Sequence, residues 1–253
     1  SLDNKTYCWG KDNYGELGNG TGTQSTDTPN EVSYPNNEFS LDVQVGGNFT
    51  CALVTSDPSL KDYTKNKIYC WGYSANGVLG HPPIINYSNG VVISREVPST
   101  AVTFAQPAAY PVQLSGKGFN MCARLSDYTV WCWGQGDNGM LGNSNSVPCN
   151  INDPNVTQGG FVCYKKYSTV PVQVKVKFTN GAETTQFQQV LSNSYVSCVR
   201  NGVSLFCWGD TYVFGPNIHT ANDDHSVPKQ IGGFVNFQNI FLGPYSFCMV
   251  GVG

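Results

Sequence analysis

The chain has 253 residues, 17 of them acidic and 14 basic, for a formal net charge of −3, and only 12% of positions are charged. The basic residues are scattered without a run, which excludes the electrostatic footprint of a nucleic-acid binder, and no stretch nears the roughly 20 apolar residues of a membrane-spanning helix. Ten cysteines point to an oxidising compartment, and the even spread of the motifs below favours one domain over residues 1–253.

In chain order, Cys8-Trp9-Gly10 opens the first of four copies of one phrase and runs on to Gly15-Glu16-Leu17-Gly18. Cys70-Trp71-Gly72 leads to Gly77-Val78-Leu79-Gly80, and Cys132-Trp133-Gly134 to Gly139-Met140-Leu141-Gly142. The fourth copy, Cys207-Trp208-Gly209, reaches Phe214-Gly215 two residues early and lacks the inner glycine. The copies lie 62, 62 and 75 residues apart, which defines a repeat protein, with repeats over about 5–66, 67–128, 129–203 and 204–253.

A second cysteine series lies upstream of the triplets, in Phe49-Thr50-Cys51, Met121-Cys122, Ser197-Cys198 and Phe247-Cys248. The first three lead into a triplet cysteine after 19, 10 and 9 residues, and each segment reads as a β-hairpin. Asn201-Gly202 is a strong turn signal, and Ser126-Asp127 has the same role in the preceding repeat. Cysteines facing each other on antiparallel strands sit within disulfide reach, so we expect Cys51–Cys70, Cys122–Cys132 and Cys198–Cys207. Cys248 has no triplet after it and Cys8 no hairpin before it. Joining the chain ends gives a step of 13 residues, within the range of the others. The expectation is a four-bladed ring whose last blade takes strands from both termini, with residues 1–8 closing it through Cys8–Cys248. The remaining pair, Cys149 and Cys163, would staple the longest insertion.

Between the motifs, short apolar or alternating runs predict strands at Leu41–Val45, Tyr110–Leu114, Val170–Phe178 and Val235–Leu242. Val172, Val174, Val176 and Phe178 share one side of the third run, the pattern of a strand with one wet face. Pro29, Pro111, Pro171 and Pro228 each precede an apolar residue by three positions, which suits a loop running into a strand. About four short strands per repeat match a propeller blade. In that architecture the Trp of each triplet supplies bulk between blades, and the following glycines allow sharp turns and close approach.

The phrase Trp9-Gly10-Lys11-Asp12-Asn13-Tyr14-Gly15-Glu16-Leu17-Gly18-Asn19-Gly20 resembles the hallmark of the regulator of chromosome condensation repeat family. Its cysteine before Trp-Gly, with another in the preceding strand, is similar to the extracellular repeats of Crinkly-type plant receptor kinases. The resemblance covers nearly the whole chain and implies an all-β propeller, usually of seven blades, whose members bind partners through a face or rim. It does not name one function: members include an exchange factor, an enzyme inhibitor, ubiquitin-ligase domains and receptor ectodomains.

Five sequons, at Asn4, Asn19, Asn48, Asn86 and Asn155, agree with the cysteines in predicting a secreted chain bearing N-linked glycans. The N-terminus has neither a basic start nor an apolar run, which reads as a signal peptide already removed. Little chemistry stands out. His81, His219 and His225 lack metal-ligand spacing, Asp223-Asp224-His225 reads as a solvated loop, and Asp12-Asn13 and Asp137-Asn138 read as turns rather than calcium ligands. Neither a catalytic constellation nor a cofactor is expected. Arg124 and Arg200, two residues after hairpin cysteines, either pair structurally or belong to a binding surface. The long insertions 81–109 and 143–169 carry Tyr87, Phe161, Tyr164 and Tyr167 as candidate partner contacts. The expected function is therefore a secreted, glycosylated, non-enzymatic structural or adhesive module, a subunit of a cell-surface or extracellular filament binding copies of itself. The alternatives are a monomeric protein-binding module (a receptor-like ectodomain or an enzyme inhibitor) and, third, a lectin.

Overall fold

The computed structural model describes residues 5–21, 24–82, 84–86, 91–93, 95–143, 146–147, 156–159, 162–165, 167–178, 180–210, 226–232, 237–243 and 246–251. Apart from short 3-10 turns, the regular structure of the described residues is strand. β1 (Thr6–Gly10) and β2 (Thr26–Val32) come first, then β3 (Phe39–Val45), β4 (Phe49–Thr55) and β5 (Lys67–Gly72). After β6 (Ile84–Asn86) and β7 (Val91–Ile93) follow β8 (Pro111–Lys117), β9 (Asn120–Leu125) and β10 (Val130–Gln135). The second insertion holds β11 (Ser146–Val147), β12 (Val156–Gly159) and β13 (Val162–Lys165), and the chain returns through β14 (Tyr167–Gln173). β15 (Val176–Lys177) and β16 (Glu183–Thr184) form a small ribbon before β17 (Gln189–Ser192), β18 (Val196–Asn201) and β19 (Ser204–Gly209). β20 (Lys229–Ile231), β21 (Phe237–Leu242) and β22 (Phe247–Gly251) complete the order.

Two full antiparallel blades have the spatial orders β8-β9-β10-β14 and β17-β18-β19-β20. A third, β3-β4-β5, is flanked on its open side by single bridges from Tyr69 to Ala101 and from Gly72 to Arg95. The innermost strands pack in succession, β3 on β8, β8 on β17 and β17 on β21.

Inside each blade the two cysteines face one another across the middle hairpin. Cys51 opposes Cys70, Cys122 opposes Cys132 and Cys198 opposes Cys207. All three pairs are disulfide-bonded with Cα atoms 4.1 Å apart. Asn201-Gly202 makes the predicted turn, with Gly202 at φ 59°, and the Ser126-Asp127 turn places Tyr128 at φ 67°.

The repeated phrase works between blades. Trp71, Trp133 and Trp208 are all fully buried. Their indole N–H groups donate to the carbonyls of Glu16, Val78 and Met140 at 2.9, 3.1 and 2.9 Å. Each acceptor lies two residues before the last glycine of the preceding repeat's Gly-x-Leu-Gly. That glycine leaves room for the ring: a Cβ on Gly142, at φ 63°, would lie 2.4 Å from the Trp208 indole. One repeat thus builds the seat for the next repeat's tryptophan.

Several expectations change. The strand expected over Val170–Phe178 is divided into β14 and β15, although Val174 and Val176 are buried and Lys175 and Lys177 exposed, as the alternation predicts. Pro29 and Pro171 lie inside β2 and β14 rather than at strand starts. Both strands are outermost in their sheets, where a missing N–H breaks no ladder.

The expected ring closure is not seen. Among the described residues β1 pairs only with β2, and β21 with β22, as two separate two-stranded sheets. Cys8 and Cys248 are free thiols, the former half-buried and the latter exposed. The reason is geometric: a cross-strand disulfide needs β22 beside β1, and here Cys8 faces Asn30 of β2 while Cys248 faces Phe241 of β21. Cys149 lies outside the described residues, and Cys163 is described only through its backbone in β13.

His81, directly after the second Gly-x-Leu-Gly, is 8% exposed. Burial, and then the nearby Arg95 charge, hold its imidazole below the usual histidine value.

The seats and this histidine can each be tested by substitution. Gly142→Ala should cost roughly 2–4 kcal/mol, combining overpacking with a strained positive φ. Gly202→Ala, whose Cβ would meet nothing within 4 Å, should cost about 1–2 kcal/mol from the backbone alone; urea unfolding of both variants checks the difference. Unfolded His81 takes a proton near pH 6.5, and the folded side chain does so only at lower pH. Stability from this group is therefore full above about pH 6.5 and lost as pH falls. His81→Gln should flatten the stability profile between about pH 6.5 and 5 in pH-dependent denaturation.

Candidate functional site

The first repeat has a tryptophan without a seat. Trp9 is 59% exposed, whereas its three counterparts are wholly buried. It stands at the mouth of an apolar cleft of about 490 Å³, lined by Cys8, Trp9, Leu17, Val43, Val45 and Phe49 among others. β1 supplies one wall and β3 with the following turn supplies the other. β3 ends in Val45, which is 64% exposed, because the apolar alternation of its sequence continues beyond the point where anything covers it. Burial, and next the Asp12 carboxylate, push the Cys8 thiol pKa up, which keeps it protonated. Asp12 itself is buried and accepts the Leu17 N–H at 3.0 Å, so it holds the Gly-x-Leu-Gly turn in shape as turn chemistry predicts.

A second, polar cavity of about 240 Å³ lies behind β1 and is lined by Lys5, Thr6, Glu31, Tyr34 and Glu38 among others. The ion pairs Lys5–Glu31 at 2.7 Å and Lys67–Glu38 at 2.6 Å flank it. Tyr34 donates to the Thr6 hydroxyl at 3.1 Å, and burial pushes its phenol up to about 12. Glu38 uses one carboxylate oxygen for Lys67, while its Oε2 is buried without a hydrogen-bond partner.

The residues singled out in the sequence are not gathered in the cleft. Tyr87 and Phe161 lie outside the described residues, Tyr164 is placed only by its backbone in β13, and Tyr167 is 37% exposed at the start of β14. Among the sequons, Asn4 and Asn155 lie outside the described residues, and Asn86 is placed only by its backbone. Asn19 accepts from the Thr21 hydroxyl at 2.8 Å on the surface. Asn48 is half-buried at the cleft rim. Arg124 lies against the Tyr128 ring, 5.6 Å from its centroid, and Arg200 is half-buried at the equivalent position of β18. His219 and Asp223-Asp224-His225 lie outside the described residues, and Asp137 accepts from the Gln135 amide at 2.7 Å. Among the described residues no three His, Cys, Asp or Glu side chains group to hold a metal, and no helix is long and apolar enough to cross a membrane.

What the sequence reading missed is Trp9 with Val43 and Val45. By motif Trp9 is indistinguishable from its three buried counterparts, so only its 59% exposure sets it apart.

Residues 3–53 match the family model of the Regulator of chromosome condensation (RCC1) repeat. The chain is 25% identical over 226 residues to the human E3 ubiquitin-protein ligase HERC2, an alignment covering 89% of this chain but 4% of the ligase. Among solved structures it is similar to human WBSCR16, with a TM-score of 0.58 at 17% identity, covering 89% of this chain and 46% of the other. It is also similar to yeast RCC1 (Prp20), solved bound to Kap60, with a TM-score of 0.52 at 13% identity over 99% of this chain and 63% of the other. The chain thus spans only a fraction of each relative it matches. With the Trp-Gly repeats and the seats they build between blades, these likenesses show a β-propeller fold of the RCC1 type, its first repeat matching the RCC1 repeat model.

Proposed function

We propose that this chain is a secreted, glycosylated, non-enzymatic propeller module that acts by binding protein, copies of itself included, as a subunit of an extracellular or cell-surface assembly. The observation that carries this reading is the cleft of about 490 Å³ with Trp9 59% exposed at its mouth. Large aromatic side chains seated at apolar clefts are what protein interfaces use as anchors. Three buried disulfides in a chain of this size support an oxidising compartment, and surface sequons such as Asn19 support glycan attachment. The use of the fold for protein contact has a parallel in yeast RCC1, solved bound to Kap60.

Light scattering and negative-stain imaging of the native, unreduced protein at several concentrations test the proposal. The expected result is a mass above the 27.5 kDa chain, reduced by peptide N-glycosidase, with ordered multimers growing as concentration rises. A monomer of constant mass at all concentrations would overturn self-assembly and leave the cleft to a foreign protein. A mass unmoved by glycosidase would overturn the glycan assignment.

A further inference from the structure

The two ends of the chain are complementary halves of one blade. In the complete blades the strands run from inner to outer as β8-β9-β10-β14 and β17-β18-β19-β20. β21 and β22 occupy the two inner positions, with β21 packed against β17 and Ile240 buried against the preceding blade. β1 and β2 occupy the two outer positions, because β1 carries the Cys-Trp-Gly triplet that β5, β10 and β19 carry. Among the described residues one end thus presents an inner half and the other an outer half.

Three further observations show β1 shaped to take a hairpin beside it. The cleft beside Cys8 lies between β1 and β3, in the place that the inner strands of its own blade would occupy. Gly10 holds φ 114°, close to the 102°, 94° and 100° of Gly72, Gly134 and Gly209. At those three positions a Cβ would strike the hairpin backbone at 2.7, 2.4 and 2.5 Å, whereas at Gly10 it meets nothing within 4 Å. Cys8 and Cys248, at the two positions that are disulfide-bonded in every complete blade, are the free thiols.

We propose that β22 of a second copy pairs with β1, completing a blade across two chains, and that Cys248 of that copy forms a disulfide with Cys8. The occupant is another copy because the matching half is present in this chain as β21–β22, where Cys248 is exposed and Phe241 is 57% exposed. The joint also continues an interface that the chain already builds between its own repeats. The register follows from the complete blades: as Ser197 faces Trp208 and Cys198 faces Cys207, Phe247 would face Trp9, Cys248 Cys8, Met249 Tyr7 and Val250 Thr6. The contact is head-to-tail, so each copy added presents a fresh end for the next. Bond formation takes two electrons and two protons from the paired thiols and gives them to a small disulfide such as oxidised glutathione, which leaves as two thiols.

This inference rests on the self-binding reading above and names its joint. The test mixes two single variants, Cys8→Ser and Cys248→Ser, under oxidised glutathione, with non-reducing gels and sedimentation as readouts. Wild-type chain should give a reductant-sensitive ladder of multiples of 27.5 kDa. Each variant alone should give no Cys8–Cys248 link, and the mixture should give a covalent dimer and nothing longer. A wild-type covalent monomer with both thiols consumed would show the ring closing on itself and overturn the proposal. Multimers that persist in the Cys8→Ser/Cys248→Ser double variant, without any cross-link in the mixture, would overturn this joint while leaving self-assembly standing. Monomers under every condition would overturn both.

Discussion

The fold depends on one contact made three times, an indole seated on the turn of the preceding repeat. The contact joins two requirements that a short motif can encode. The turn must present a carbonyl at a fixed place, and its last residue must have no side chain. Gly-x-Leu-Gly meets both, since Leu17, Leu79 and Leu141 are buried in the same turns whose carbonyls accept the indole N–H. A buried indole with its N–H paired contributes apolar area without leaving a polar atom unsatisfied. Because every seat belongs to one repeat and every indole to the next, blade-to-blade order follows chain order.

The disulfides act at a different level. Each closes a loop of 9 to 19 residues within one hairpin, where restricting the unfolded chain contributes roughly 2–4 kcal/mol. They fix the register of the two middle strands and so the direction in which each tryptophan points. Blade geometry is covalent and blade association is not. That division explains how β1 keeps its strand, its Gly10 conformation and its paired outer strand although no inner hairpin stands beside it.

The repeat, the strand content and three disulfides were legible in the sequence because each rests on local spacing. Cys198 and Cys207 need only a two-residue turn between short strands to meet, and Asn201-Gly202 announces that turn. The role of Glu16, Val78 and Met140 was not legible, since a backbone carbonyl leaves no mark on residue identity. Closure was not legible, because counting cysteines treats the two chain ends as adjacent, whereas their separation depends on how the blades pack in space. The aromatic residues of the insertions stand out by the composition around them. Trp9 does not, because by motif it matches three residues that are wholly buried.

The separation of covalent and non-covalent ties has a mechanical consequence. Under tension applied through the two ends of the chain, load passes from blade to blade through the seated indoles in series. The hairpins cannot lengthen, because the residues between each bonded cysteine pair lie behind the bridge and contribute no contour length. Such a chain would yield in discrete steps, one blade leaving its neighbour at a time, with each detached hairpin still registered and ready to find its seat again when the load is removed.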